Sequence, residues 1–270
     1  MNGLDPQRVA DLIREAADTI VLPRHRQLDA ADIHEKQRKD DLVTIADIET
    51  EHWLNERLGA LLPGSIVVGE EAVFADPDIM QRIASDGPVW IIDPVDGTWN
   101  FAHGKDEFAI IVALRLGGET VMGWIAEPAL GGMAIGERGA GVAFNGRPVD
   151  FTAADAFPGP LEGTAARHLR ERAETADPKL VRTVHRSSSA GHEYMLMLRG
   201  ERHFSAYTRL LPWDHVAGTF LMTEAGGASR LLTGAAYDPA VPVGELLTVA
   251  DPERWDSLCT MLSQDAELPS

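Results

Sequence analysis

The stretch Trp90-Ile91-Ile92-Asp93-Pro94-Val95-Asp96-Gly97-Thr98 constrains the fold more than any other part of this 270-residue chain. Val89 to Ile92 is a short apolar run that reads as a buried strand, and it stops at Asp93-Pro94, with a second carboxylate at Asp96. Pro94 has no N–H and fixes its own φ, so the chain must leave the strand there, while Gly97 permits backbone geometry that other residues resist. Two hard oxygen ligands on a stiff strand end suit a magnesium ion holding a phosphate. On local chemistry alone the same turn is equally an ordinary loop whose side chains cap backbone N–H groups. Acids elsewhere tip the balance. Gly69-Glu70-Glu71 follows the apolar run Ile66 to Val68, and Trp213-Asp214 stands just before Ala217-Gly218. Each places a carboxylate where a strand ends or a helix begins, the usual position for ligands in layered α/β proteins.

The charge balance narrows the partners. With 24 Lys+Arg against 42 Asp+Glu the net charge is −18, a balance that repels nucleic acid and anionic membranes. It also repels an anionic substrate, so cations must neutralise the site locally. The single cysteine, Cys259, excludes an intrachain disulfide and reads as a small core residue of a C-terminal helix. Met1 to Asp11 lacks a basic region followed by an apolar core, and the longest apolar run, Phe108 to Leu114, is far too short to span a membrane. These features lead us to expect a cytoplasmic protein.

Taken in order, Asp5-Pro6 predicts a helix start, with Val9, Leu12, Ile13, Ala16 and Ile20 on one face and Pro23 as the stop. Asp29 to Asp41 is charge-rich and reads as a solvated helix face or mobile loop. Thr44 opens a second helix whose buried stripe is expected to be Ile48, Trp53, Leu54, Leu58 and Leu61, ending at Pro63-Gly64; Asp47 in its first turn favours the helix dipole. Phe108 to Leu116, Val121 to Ala126 and Met133 to Gly136 predict consecutive antiparallel strands. A boundary is expected near the Asn145-Gly146 turn: residues 1–146 as helices on an antiparallel sheet carrying most of the acids, and 147–270 as an α/β half carrying Asp214. In that second half Ala165 to Thr175 reads as a helix, Leu180 to Val184 as a strand, and Gly191 to Leu198 as a helix that the serines Ser187 to Ser189 could cap. His203 to Tyr207 is a strand, Pro212 opens a helix to about Ala225, and strands at Ala228 to Leu232 and Leu246 to Val249 precede a closing helix. The histidines show no paired metal spacing and read as structural; His215, beside Asp214, is the one to follow.

Gly69-Glu70-Glu71, Asp93-Pro94-Val95-Asp96-Gly97-Thr98 and Trp213-Asp214-His215-Val216-Ala217-Gly218, in that order, resemble the inositol monophosphatase family of magnesium-dependent, lithium-sensitive phosphatases. Asp41-Leu42-Val43-Thr44-Ile45-Ala46-Asp47 and Glu224-Ala225-Gly226-Gly227 extend the likeness over nearly the whole chain. The resemblance implies a layered α-β-α-β-α sandwich, a small-molecule phosphate monoester as substrate, and a homodimer. It implies two magnesium ions and a weaker third, with manganese as a substitute, held by Glu70, Asp93, the Val95 carbonyl, Asp96 and Asp214. It gives Asp47 a further task, accepting a hydrogen bond from Thr98 so that this hydroxyl can take a proton from the attacking water, with Glu70 beside it as the third catalytic residue. Gly97 and Thr98 would hold phosphate oxygens, and Lys36 or Lys39 would approach the weaker ion.

The substrate side departs from the pattern. Inositol-specific members carry a glutamate seven residues before the Trp-Asp aspartate, and Tyr207 stands there. Asp96, Ser187, Tyr207, Arg209 and Asp214 are the expected substrate contacts, and Arg209 could favour a second anionic group. A histidinol-phosphate or sugar/nucleotide phosphatase on the same scaffold is the alternative, with Gly191-His192-Glu193-Tyr194 as a cue to the first. An alternative of another class is a regulatory protein acting through a partner.

Overall fold

The computed structural model describes residues 3–36, 42–152, 160–176, 181–184 and 186–263. Among these the chain forms five layers, α-β-α-β-α. A seven-stranded sheet runs in chain order through Ile66–Gly69, Val89–Asp96, Ala109–Leu116, Glu119–Glu127, Gly132–Glu137, Gly141–Phe144 and Arg147–Val149. A five-stranded sheet has the order Val181–Thr183, Leu161–Ala165, Phe204–Arg209, Val243–Val249, Ala228–Leu231.

Alternation along Val89–Asp96 explains the layering. Trp90 and Ile92 face the N-terminal helices with Val9, Ile13, Leu54 and Leu58, whereas Val89 and Ile91 face the helices Ala190–Leu198 and Pro212–Glu224. Every residue of this strand is therefore buried, as expected for a strand covered on both faces. A third core, with Leu169, Ala173, Leu258 and Leu262, seats the helices Arg167–Ala176 and Trp255–Ser263 against the outer side of the five-stranded sheet.

The first sheet is mixed rather than antiparallel, because Ile66–Gly69 runs parallel to Val89–Asp96. A parallel pair needs a crossover, and Glu70–Ala75 with the 3-10 turns of Pro77–Ala84 provide it. Both strands thus end at the same edge, bringing Glu70 beside Asp93.

Several local expectations are corrected. Asp5 does cap the first helix, accepting from Gln7 N at 2.9 Å, but Pro23 does not end it. A π-helical turn over Ala17–Val21 carries the chain into Leu22–Arg24, where Pro23 lies in a first turn and its missing N–H costs little. In the charged segment before Asp47, Ile33–Glu35 pairs with Leu42–Thr44 as a short antiparallel ladder, too brief for alternation to announce it. Leu161–Ala165 is a strand the sequence reading missed: Leu-Glu-Gly-Thr-Ala has little of the β-branched and aromatic character that marks strands. The helix Ile45–Leu61 buries Ala46, Asp47, Thr50, Glu51, Leu54 and Leu58, and leaves Ile48 47% exposed. Its inward face is polar near the N-terminus because that end looks onto the acid cluster.

Candidate active site

Thr44 is the N-cap of Ile45–Leu61 and shares a capping box with Asp47: Ala46 N donates to Thr44 Oγ1 at 3.2 Å, and Thr44 N donates to Asp47 Oδ2 at 2.9 Å. This fixes one Asp47 oxygen. The other, Oδ1, accepts from Thr98 Oγ1 at 2.9 Å; the same hydroxyl lies 3.0 Å from the Val95 carbonyl. The cap and the Thr98 partner are thus one residue, fully buried. Burial, with Glu70 nearby, pushes Asp47 up to about 6 even though Thr44 and Thr98 favour its charged form.

Gly97 makes the turn possible. Its φ is +86°, and a Cβ there would lie 2.8 Å from Ser189 Cβ and 3.2 Å from the Glu107 carbonyl, so a side chain meets both strain and collision. From this turn Thr98–Ala102 begins a short helix.

Asp93, Asp96 and Asp214 present carboxylate oxygens that all lie within 4.8 Å of one another. Asp214 comes from the first turn of Pro212–Glu224, the helix that packs against the strand carrying the other two. Burial raises all three; Glu70, Asp96 and Asp214 raise Asp93 further, and Asp96 and Glu70 do the same for Asp214. Asp93 Oδ1 is buried and accepts no hydrogen bond among the described residues. Converging acids with an unpartnered oxygen fit a hard divalent cation, and the donors are all oxygen.

Asp96 has a second attachment that the sequence did not reveal. It accepts from Ser189 Oγ at 2.5 Å, Ala190 N at 3.1 Å and Gly191 N at 2.6 Å, and so anchors the start of Ala190–Leu198. Ser189 is that helix's N-cap, accepting from His192 N at 3.1 Å. Glu70 stands outside the three-aspartate cluster. Its carboxylate is met by Lys36 Nζ at 2.9 Å, and Lys36 also reaches Glu71 at 2.6 Å. Burial works against the Lys36 charge, but Glu70 and Glu71 outweigh it. Lys39 lies outside the described residues.

These groups border a cavity of about 620 Å³ whose wall includes Glu70, Asp93, Val95, Asp96, Gly97, Thr98, Ser187, Arg209 and Asp214. Tyr207 does not reach it. Its side chain is buried, its hydroxyl has no partner among the described residues, and the Arg186 guanidinium sits 4.2 Å from its ring centroid. His215 is also buried, between the Tyr194 hydroxyl at 3.1 Å and the Arg209 carbonyl at 2.9 Å. Burial lowers it to about 3, so it stays neutral.

Sequence reasoning overlooked three residues here. Arg186 and Lys105 line the cavity, and only their basic character beside the serine run and Trp99 hinted at it. Glu51 accepts from Glu71 N and Ala72 N, each at 2.8 Å, and so caps the helix that begins with Glu70. A signal existed: Asp47 and Glu51 are spaced i, i+4 and continue the Leu54–Leu58 stripe, so the two acids had to face inward.

The inositol monophosphatase family, as a sequence family, matches residues 5–266. The chain belongs to that family. It is an inositol monophosphatase-like phosphoric monoester hydrolase with an acid cluster suited to metal. A Bacillus subtilis inositol-1-monophosphatase is 30% identical over 83% of this chain and 84% of its own. A histidinol-phosphatase of Chlorobaculum parvum is also 30% identical, over 71% and 73% respectively. Among solved structures, an IMPase of Thermotoga maritima superposes with a TM-score of 0.80 over 95% of each chain at 24% identity, which establishes the shared fold. No helix among the described residues is long and apolar enough to cross a membrane.

Proposed function

We propose that this family member is a magnesium-dependent phosphomonoesterase acting on a small phosphate ester, with manganese as a substitute ion. The observation that carries the reading is the convergence of Asp93, Asp96 and Asp214 within 4.8 Å beside the hydrogen-bonded Thr98 and Asp47. Asp93, Asp96, Asp214, Glu70 and the Val95 carbonyl would hold the ions. Bound there, they would polarise the phosphoryl group, acidify the attacking water and stabilise the leaving alkoxide.

The chain's own groups supply the rest. Thr98 Oγ1 gives its hydrogen to Asp47 Oδ1, which leaves oxygen lone pairs to accept a proton from water in the cavity. As water attacks phosphorus, its proton passes to Thr98 while the Thr98 hydrogen moves to Asp47, and the ester P–O bond breaks, the leaving oxygen taking a proton from cavity water to depart as the alcohol. Thr44 keeps the Asp47 carboxylate from turning away. Gly97 and Thr98 would position the phosphate. The burial of Tyr207 supports a leaving group other than the inositol ring, because no carboxylate stands there to hold ring hydroxyls. The family likeness further supports a cytoplasmic homodimer inhibited by lithium.

Phosphate release tests this reading with myo-inositol 1-phosphate, histidinol phosphate, fructose 1,6-bisphosphate, adenosine 3′,5′-bisphosphate and NADP, with and without magnesium. Turnover that requires magnesium and disappears in Asp93→Asn is expected. Failure of every compound with folded, magnesium-loaded protein would reject phosphatase action on these classes.

A further inference from the structure

Three cationic side chains, Lys105, Arg186 and Arg209, line the same cavity as the acid cluster. Among the described residues none forms an ion pair or a side-chain hydrogen bond. Lys105 lies over the Trp99 ring at 4.6 Å and Arg186 over Tyr207 at 4.2 Å, contacts that orient a cation without neutralising it. In a chain with 42 acidic and 24 basic residues, cations find carboxylate partners easily. Arg14, Arg24, Arg138 and Arg172, for instance, each have one. These three cations, without a carboxylate partner among the described residues, all border the one cavity that holds the acid cluster.

The backbone brings Arg209 there. Between Tyr207 and Arg209 the pairing with Val243–Val249 shifts register, from Tyr207 opposite Leu246 to Arg209 opposite Val243, so the partner strand carries one extra residue. Such bulges re-aim the side chains beside them. Tyr207 stays in the core, while Arg209 is exposed on the cavity wall. Arg186 and Arg209 border the same cavity as Asp96, Thr98 and Asp214, and so share it with the groups that would hold the phosphate.

The phosphate to be cleaved is provided for by the cation-holding acids and by Gly97 and Thr98. A neutral polyol leaving group would give two guanidiniums no anion to meet. Guanidinium groups pair best with planar or tetrahedral oxyanions through two parallel N–H donors. We propose that Arg209, supported by Arg186, selects a phosphate monoester whose leaving group carries a second anionic oxyacid group, phosphate or carboxylate. This rests on the phosphatase reading above.

The test is the ratio of kcat/KM within two matched pairs in the presence of magnesium: fructose 1,6-bisphosphate against fructose 1-phosphate, and 3-phosphoglycerate against glycerol 3-phosphate. The doubly anionic member of at least one pair should be favoured by about 10- to 100-fold, the worth of a charged hydrogen bond. The favoured pair tells phosphate from carboxylate. Arg209→Ala should collapse that ratio towards unity through KM, and Arg209→Lys should restore part of it. Ratios near unity for wild type in both pairs, or a ratio that Arg209→Ala leaves unchanged, would overturn the proposal. If no compound is hydrolysed, the phosphatase reading fails by itself. The proposal is then decided by binding of the same four compounds, followed through the fluorescence of Trp99 on the cavity wall. Tighter binding of a doubly anionic member that depends on Arg209 would sustain it, and equal affinities would reject it.

Discussion

The Thr98 hydroxyl donates to Asp47 Oδ1 across 2.9 Å, joining the turn after one strand to the first turn of a helix 51 residues earlier. Under the proposed mechanism the two residues act through one shared proton and should not contribute independently. Thr98→Ala and Asp47→Asn are each expected to lower kcat by about 10²- to 10⁴-fold, the usual worth of a general base. The double variant should fall no further than the worse single one. Steady-state kinetics of the three variants checks this; additive losses would show that the two residues work separately.

Asp93 places a buried carboxylate against Asp96, Asp214 and Glu70. In cation-free protein Asp93→Asn removes a repelled charge while keeping the shape. Its melting temperature at pH 8 should therefore rise by a few degrees, about 1 kcal/mol in a chain of this size. Adding magnesium should then reverse the order, because wild type gains binding energy and the variant does not. Thermal melts with and without magnesium give both comparisons.

The legibility of this site in the sequence was uneven for a physical reason. Acids at strand ends and helix starts, such as Asp93 and Asp214, are marked locally by Pro, Gly and apolar runs. The five-layer order is what the family resemblance of those motifs implied, and the apolar runs marked individual strands within it. What local pattern cannot reveal is a partner distant in the chain: Ser189 and Gly191 on Asp96, Lys36 on Glu70, or Arg186 over Tyr207. Tyr207 occupies the expected chain position, yet tertiary packing turns it into the core, and a register shift presents Arg209 instead.

Glu51 provides a pH signature. Burial raises its pKa to about 7, against 4.5 for an unperturbed glutamate, despite hydrogen bonds from Glu71 N and Ala72 N. The folded state thus binds the Glu51 proton more tightly than the unfolded state. Its contribution is fully present below pH 4.5 and is lost as the pH rises through about 7. Denaturant unfolding across this window should show Glu51→Gln losing less stability than wild type, with a difference of roughly 3 kcal/mol between the ends. Parallel pH profiles would contradict this.

Gly218 in the Trp-Asp-x-x-Ala-Gly stretch is explained by contact rather than chemistry. A Cβ there would lie 2.1 Å from the Tyr194 ring, which is itself fully buried. Gly218→Ala should destabilise by about 1 to 3 kcal/mol, the range for overpacked cores. Gly218→Ala combined with Tyr194→Leu should recover part of the loss in urea unfolding.

The most direct measurement is calorimetric titration of chelator-treated protein with magnesium, for wild type and Asp93→Asn. Saturable binding in wild type, lost in the variant while its far-UV circular dichroism is unchanged, is the predicted result. Absence of saturable binding to folded wild type, or equal binding by Asp93→Asn, would contradict the claim that Asp93, Asp96 and Asp214 form the cation site beside Thr98.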